Sequence, residues 1–341
     1  AAARRRRCRA GARPAGPHRA LPLRLEQASD ERVALFRLPS DRDEEAFERQ
    51  AEVLRQQAFQ EVAGPRGHGA GSGTPACTVA VHYSWDCLRR LRDAREGGRR
   101  VTVGSVLIPA GATEDLVALA AAVSPNVYAA DRALMQALST QGSRKSFCHF
   151  TVAFPVSRPL AALKPPFVVL GGLESSHTIG QILRTAYHFG VDSVVASRST
   201  WQHLDGRACR VAMGWAYCMD FHLAESLPEA LTQLRAEGVE LYVADASAPQ
   251  AVAPHRPRGS CGWALVLDGA EEGASQEALA LCDAKVRVPL RGEGEMSTAH
   301  AAAICLYELA GLCPEEPAGE ASPGQTERPD CGSGRAGEEL L

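Results

Sequence analysis

The sequence predicts an α/β fold built on a mostly parallel sheet. From residue 167 onward, short β-branched runs alternate with helical stretches over about 150 residues, the pattern of strands connected by covering helices. Pro165-Pro166 sets this region apart, because a proline pair breaks regular structure and presets an extended entry. Within it, the apolar runs 264–267 and 286–290 each give way to a Gly-rich loop and then a helix. In open α/β sheets ligands bind in the crevice beyond the carboxyl ends of the strands, so two such loops predict a small-molecule site.

Taken in order, residues 1–42 are expected to be disordered. The first 24 carry eight arginines and no acid, which fits an organellar transit segment, a basic nucleic-acid arm or a solvated tail. The transit reading places the protein in a chloroplast or mitochondrion; otherwise it is expected in the cytoplasm. Residues 43–74 are expected to be a helix, 43–62, and a linker beginning with Gly64-Pro65. A small α/β domain is expected over 75–157, with strands 78–83, 101–109, 127–130 and 147–154. Its helices are 85–96, 114–123 and 131–139. Arg89, Arg90, Arg92, Arg95, Arg99 and Arg100 cluster on or after the first of these, as a solvated face or as an RNA-facing surface.

The second domain, 165–313, begins with strand 167–173 and helix 179–189. Strand 193–197, helix 208–214, strand 219–223, helix 227–237 and strand 240–246 follow. Strand 264–267 then leads through the loop at 269–273 to helix 276–281, with Ser275 placed to cap it. Strand 286–290 leads through the loop at 291–297 to helix 299–309. The tail, 314–341, has too little apolar content to fold and is expected to be disordered.

Composition excludes several classes. No apolar run reaches the roughly 18 residues of a membrane helix. The eleven cysteines form no C-x-x-C pair and none of the short Cys/His spacings that grip zinc, so free thiols and no metal are expected. His82, His149 and His222 fall on strand-like segments and read as structural. The first strand of the second domain is not followed by G-x-G-x-x-G, which argues against a nucleotide-dependent oxidoreductase.

Three ordered motifs are more specific. SSHTIGQILRTAYHFG, 175–190, resembles the first motif of the SpoU-type, or TrmH-like, RNA methyltransferases of the SPOUT superfamily, with Gly180, Arg184, Thr185, Ala186, Phe189 and Gly190 in register. ALVLDGAEEGASQEALALCD and VPLRGEGEMSTAHAAAICLYEL resemble the second and third. The resemblance covers about 167–312, and 77–156 is similar, more weakly, to the family's L30-like domain.

The resemblance implies a C-terminal trefoil knot, S-adenosyl-L-methionine held in the knotted loops, a homodimer whose site is completed by the partner, and 2′-O-methylation of ribose in tRNA or rRNA. It implies catalytic roles for Arg184, Thr178, Glu271 and Ser297. It lines the cofactor pocket with Leu267, Gly269, Gly273, Val288, Leu290, Ser297 and Thr298. RNA contact is expected from Arg89, Arg90, Arg92 and Arg184. A guanidinium is a poor proton acceptor, so Arg184 is expected to stabilise a developing alkoxide or hold a phosphate. The polar positions depart from the family pattern: Thr178 replaces an asparagine, and the asparagine of the third motif is absent around Ser297-Thr298. The alternative function is therefore a weakened or inactive RNA-binding or ribosome-assembly protein on the same scaffold.

Overall fold

Apolar alternation produces two sheets, one on either side of Pro165-Pro166. The computed structural model describes residues 22–27, 29–36, 44–63, 76–99, 101–138, 148–245, 262–269, 274–291 and 296–311. The arginine-rich start, the linker at 64–73 and the tail from 314 lie outside the described residues.

The N-terminal sheet contains β1 (Leu23–Arg24), β2 (Cys77–Tyr83), β3 (Thr102–Pro109), β4 (Asn126–Ala130) and β5 (His149–Val156), in the order β1-β4-β3-β5-β2. Its helices are α1 (Glu44–Ala63), α2 (Trp85–Glu96), α3 (Glu114–Val123) and α4 (Arg132–Ala137). The period of two along β5 separates its faces. Phe150, Val152 and Phe154 pack with Leu88, Leu91 and Leu119, whereas Ala153 packs with Leu54 and Ala58 of α1.

The second sheet contains β6 (Phe167–Gly171), β7 (Ser193–Ser197), β8 (Asp220–Ala224), β9 (Glu240–Ala244), β10 (Trp263–Asp268) and β11 (Ala284–Val286). All its pairings are parallel, in the order β11-β9-β10-β6-β7-β8. The helices are α5 (Ser176–His188), α6 (Arg198–Trp201), α7 (Gly206–Val211), α8 (Leu227–Ala236), α9 (Gln276–Leu281) and α10 (Thr298–Leu309). Val168, Leu170, Val194, Leu265 and Leu267 pack in one cluster with residues of α5 and α10. Val169, Val195, Val243 and Val266 pack on the other side with residues of α8 and α9. Burial on both faces explains why these strands read as continuous apolar runs. Ser175, Ser226 and Ser275 start α5, α8 and α9 by accepting the N–H three residues on, each contributing about 1 kcal/mol.

Three expectations are corrected. Disorder over 1–42 does not hold for 22–36, where β1 pairs with β4 and a 3-10 turn follows. Leu25 and Phe36 are buried with Leu107, Ala130 and Leu134, and that apolar contact holds the segment down. The strand expected at 286–290 is instead Ala284–Val286. Pro289 has no N–H to give a ladder, and among the described residues β11, at the sheet edge, pairs only with β9. The helix expected at 208–214 ends at Val211, because Met213 and Gly214 take positive φ of 55° and 77°. A Cβ on Gly214 would stand 2.8 Å from Arg90 Cβ, so glycine allows this turn to approach α2.

The two sheets are joined by a polar and aromatic seam. Arg99 donates to Asp220 (2.5 Å) and Asp192 (2.6 Å), and Arg158 donates to the other oxygen of Asp220 (2.6 Å). Burial opposes the Arg99 charge, and the two aspartates outweigh it, so its pKa rises. Deeper in, His82 Nδ1 lies 2.7 Å from the Tyr217 hydroxyl. Burial lowers the pKa of His82 to about 4, partly opposed by Asp205.

Candidate functional site

The parallel strands deliver their carboxyl ends to one edge. There β6 passes into Gly171-Gly172 and β10 into Asp268-Gly269, in register with each other. Gly269 N–H donates to the Gly171 carbonyl (2.9 Å). Gly172 and Gly269 have positive φ of 64° and 77°, and a Cβ on Gly172 would meet Gly269 N at 3.4 Å. Asp268 fixes the start of the loop, since its Oδ2 accepts from Ser275 N–H (3.0 Å) and Ser275 Oγ–H (2.6 Å). Ser197 and Thr200 accept from Gly172 N–H (3.3 Å) and Leu173 N–H (2.9 Å) on the other side.

Beyond β10 lie β9 and then β11, whose ends are tied by Asp245 N–H donating to the Val286 carbonyl (3.0 Å). Two strand spacings put the ends of β10 and β11 about 10 Å apart. Leu267 is buried inside β10, Val288 is half-buried and Leu290 is 47% exposed. Ser297 starts α10 without capping it; its Oγ lies 2.7 Å from His300 Nδ1, and both side chains are exposed. Thr298 is half-buried at the first position of α10. Glu271 and Gly273 lie outside the described residues.

Arg184 is exposed on α5, with no ion-pair or hydrogen-bond partner among the described residues. It sits about 12 Å along the helix axis from Ser176, well away from the strand ends. Thr178, six residues earlier and in the first turn, is rotated about 240° from it, so the two do not share a face. Gly180 lets α5 meet α7: a Cβ there would stand 2.5 Å from the Ala208 carbonyl oxygen.

Of the arginines assigned to RNA, the three on α2 have partners within the chain. Arg89 pairs with Asp86 (3.0 Å), and Arg92 pairs with Asp93 (2.7 Å) and Glu96 (3.7 Å). The Arg90 guanidinium lies 3.5 Å over the Trp215 ring, which stacks on Tyr187 at 4.6 Å. A cation over an indole is stabilised there without any phosphate.

A cavity of about 410 Å³ lies at the seam, lined by residues including Arg99, Phe154, Arg158, Tyr217 and Asp220. Asp220 opens β8, so this cavity belongs to the opposite edge of the sheet from the strand-end loops. Sequence reasoning missed the seam, Asp268 and His300. Only Asp268 carried a signal, an acid at a strand end followed by glycine and a later cap serine. Among the described residues no group of three His, Cys, Asp or Glu side chains could hold a metal ion, and no helix is long and apolar enough to cross a membrane.

The family model for the SpoU rRNA methylases matches residues 165–307, from the proline pair into α10. This segment, about two fifths of the chain, is similar to the SpoU rRNA methylases. The matched segment contains the whole parallel sheet, Arg184, both strand-end loops and the Ser297-His300 pair. Curated relatives include the 23S rRNA (guanosine-2′-O-)-methyltransferase RlmB of Bordetella pertussis, 29% identical over 161 residues, which are 46% of this chain and 65% of that one. The 23S rRNA 2′-O-methyltransferase RlmP of Bacillus subtilis is 31% identical over 42% of this chain and 57% of its own. The chain thus spans less than two thirds of the length of these relatives. Among solved structures, the AdoMet-bound rRNA methyltransferase of Sinorhizobium meliloti is similar in fold, with a TM-score of 0.59 and 14% identity, over 86% of this chain and 98% of that one. The SpoU methyltransferase AviRb of Streptomyces viridochromogenes, in complex with AdoMet, gives a TM-score of 0.58 at 17% identity, over 76% and 97%.

Proposed function

We propose that the protein is an RNA 2′-O-methyltransferase that takes its methyl group from S-adenosyl-L-methionine and acts on rRNA or tRNA. The observation that carries this is the SpoU match over 165–307, which spans the sheet whose strand ends bring Gly172 and Gly269 into contact.

The residues present fit an adenosine-bearing donor. Backbone without side chains opens at Gly172 and Gly269, and Leu290 offers exposed apolar surface at the same edge of the sheet. In this reading Leu267, Gly269, Val288, Leu290 and Thr298 surround the donor. When bound, the donor supplies a methyl group already activated by a sulfonium. The protein's own task is then to orient the ribose hydroxyl and to stabilise its oxygen as the proton leaves.

Arg184 is the group for that charge. It is exposed, has no partner among the described residues and lies away from the strand ends of its own chain, as a residue supplied to a second copy would. The homodimer follows from this reading. A threaded, knotted C-terminus also belongs to it and is supported by the chain path: β10 enters between β9 and β6, and β11 then returns to the far side of β9. The five-stranded sheet is read as the L30-like RNA-binding domain, and the acid-free start as an organellar address. Thr178, in place of an amide, favours a second reading as a silent RNA-binding protein.

Incubation with methyl-labelled S-adenosyl-L-methionine and rRNA or tRNA, followed by nuclease digestion, decides between them. Label in a ribose-methylated nucleoside is expected. RNA binding without any transfer would replace the first reading with the second.

A further inference from the structure

A guanidinium cannot take the proton of the ribose hydroxyl, so the methyltransferase reading needs an acceptor other than Arg184. The start of α10 carries a pair suited to that work. Ser297 Oγ and His300 Nδ1 are 2.7 Å apart, and both side chains are exposed. The Ser297 hydroxyl does not cap the helix it begins. Its oxygen can therefore accept one hydrogen bond while its own hydrogen is given to the imidazole.

Histidine is the side chain whose ordinary pKa lies nearest neutrality, so it can gain and release a proton within one catalytic cycle. The elements packed against α10 are α5, β9 and β10. Their titratable groups are His177, Arg184, Tyr187 and His188 of α5, Glu240 and Tyr242 of β9, and Asp268 of β10. Asp268 is held by Ser275, and Glu240 by the Tyr242 hydroxyl (2.6 Å). Among the described residues none of these groups is paired with His300, whose one described hydrogen bond is to Ser297.

We propose that Ser297 and His300 form a proton relay for the ribose 2′-hydroxyl, an inference that rests on the methyltransferase reading above. The ribose O–H donates to Ser297 Oγ, and Ser297 Oγ–H donates to His300 Nδ1. As the ribose oxygen forms its bond to the methyl carbon, the methyl–sulfur bond breaks and its electrons return to sulfur. The hydroxyl proton passes through Ser297 to His300, which later releases it to solvent. Ser297 is the catalytic residue, and His300 is a positioning residue acting through it.

The test compares wild type, Ser297→Ala, His300→Ala and His300→Gln for methyl transfer across pH, with donor affinity measured by calorimetry. Each substitution at His300 is expected to lower kcat about 100-fold. KM for RNA and donor affinity should stay unchanged, and the ascending limb of the pH–rate profile should disappear. Glutamine can keep the hydrogen bond to Ser297 but cannot take the proton, so His300→Gln should be as slow as His300→Ala. Transfer at the wild-type rate by His300→Gln, or a retained ascending limb in His300→Ala, would overturn the relay alone. No transfer by the wild-type protein would overturn both the relay and the methyltransferase reading.

Discussion

Arg184 is a long cation on the outside of α5 with no partner among the described residues, so nothing in that part of the fold depends on its charge. Arg184→Ala should shift the urea unfolding free energy by no more than about 0.5 kcal/mol. The same change should reduce methyl transfer about 100-fold, because a cation positioned at developing negative charge acts mainly in the transition state. A variant that loses stability and activity together would assign the residue to the fold. Arg184 stands out in the sequence because glycine, threonine, alanine and phenylalanine surround it in a fixed register. Arg90 was not: a helix arginine looks the same in sequence whether water or an indole lies over it, and Trp215 arrives from 125 positions away. His300 carried no signal either, since its role depends on a hydroxyl one turn earlier whose direction only the helix start fixes.

At the scale of elements, the crossing of α5 and α7 depends on Gly180. A valine there would set its Cβ against the Ala208 carbonyl oxygen, which is backbone and cannot swing aside. Gly180→Val should destabilise the protein by about 2 kcal/mol, read as a lowered urea midpoint at constant slope. A wild-type midpoint would mean that the helices cross elsewhere. Strands buried on both faces were legible as apolar runs, and the start of α9 was legible as Ser275, one residue ahead of the first turn. Two elements were not. β11 was displaced toward its start because a proline cannot extend a ladder, and the apolar letters Val288 and Leu290 misled the period. Residues 22–36 were assigned to a basic tail because composition averages over Leu25, Leu35 and Phe36, whose contacts are with distant parts of the chain.

The seam governs the molecule as a whole. His82 on β2 and His149 on β5 are buried, and burial lowers both to about 4 from an ordinary 6.5. Below pH 6.5 the unfolded chain therefore binds protons that the fold refuses. The stability contributed by these neutral histidines is complete above that pH and is lost as pH falls toward 4. For His82 the full loss is about 3 kcal/mol. Urea unfolding at about pH 7.5 and pH 5 should show this loss in wild type and a smaller one in His82→Gln. Equal losses would mean that His82 titrates normally in the fold. No pattern in the sequence announces such a seam, because each of its residues reads locally as an ordinary strand or helix position.

The claim on which the functional reading depends is that the ends of β6, β10 and β11 hold the methyl donor. Titration calorimetry of the full chain with S-adenosyl-L-methionine tests it most directly, alongside Gly269→Val, which forces a branched side chain into a backbone of positive φ. One donor bound per chain by wild type, with affinity lost in Gly269→Val while urea unfolding stays cooperative, is the expected result. Absence of binding by wild type, or equal affinity in both proteins, would contradict it.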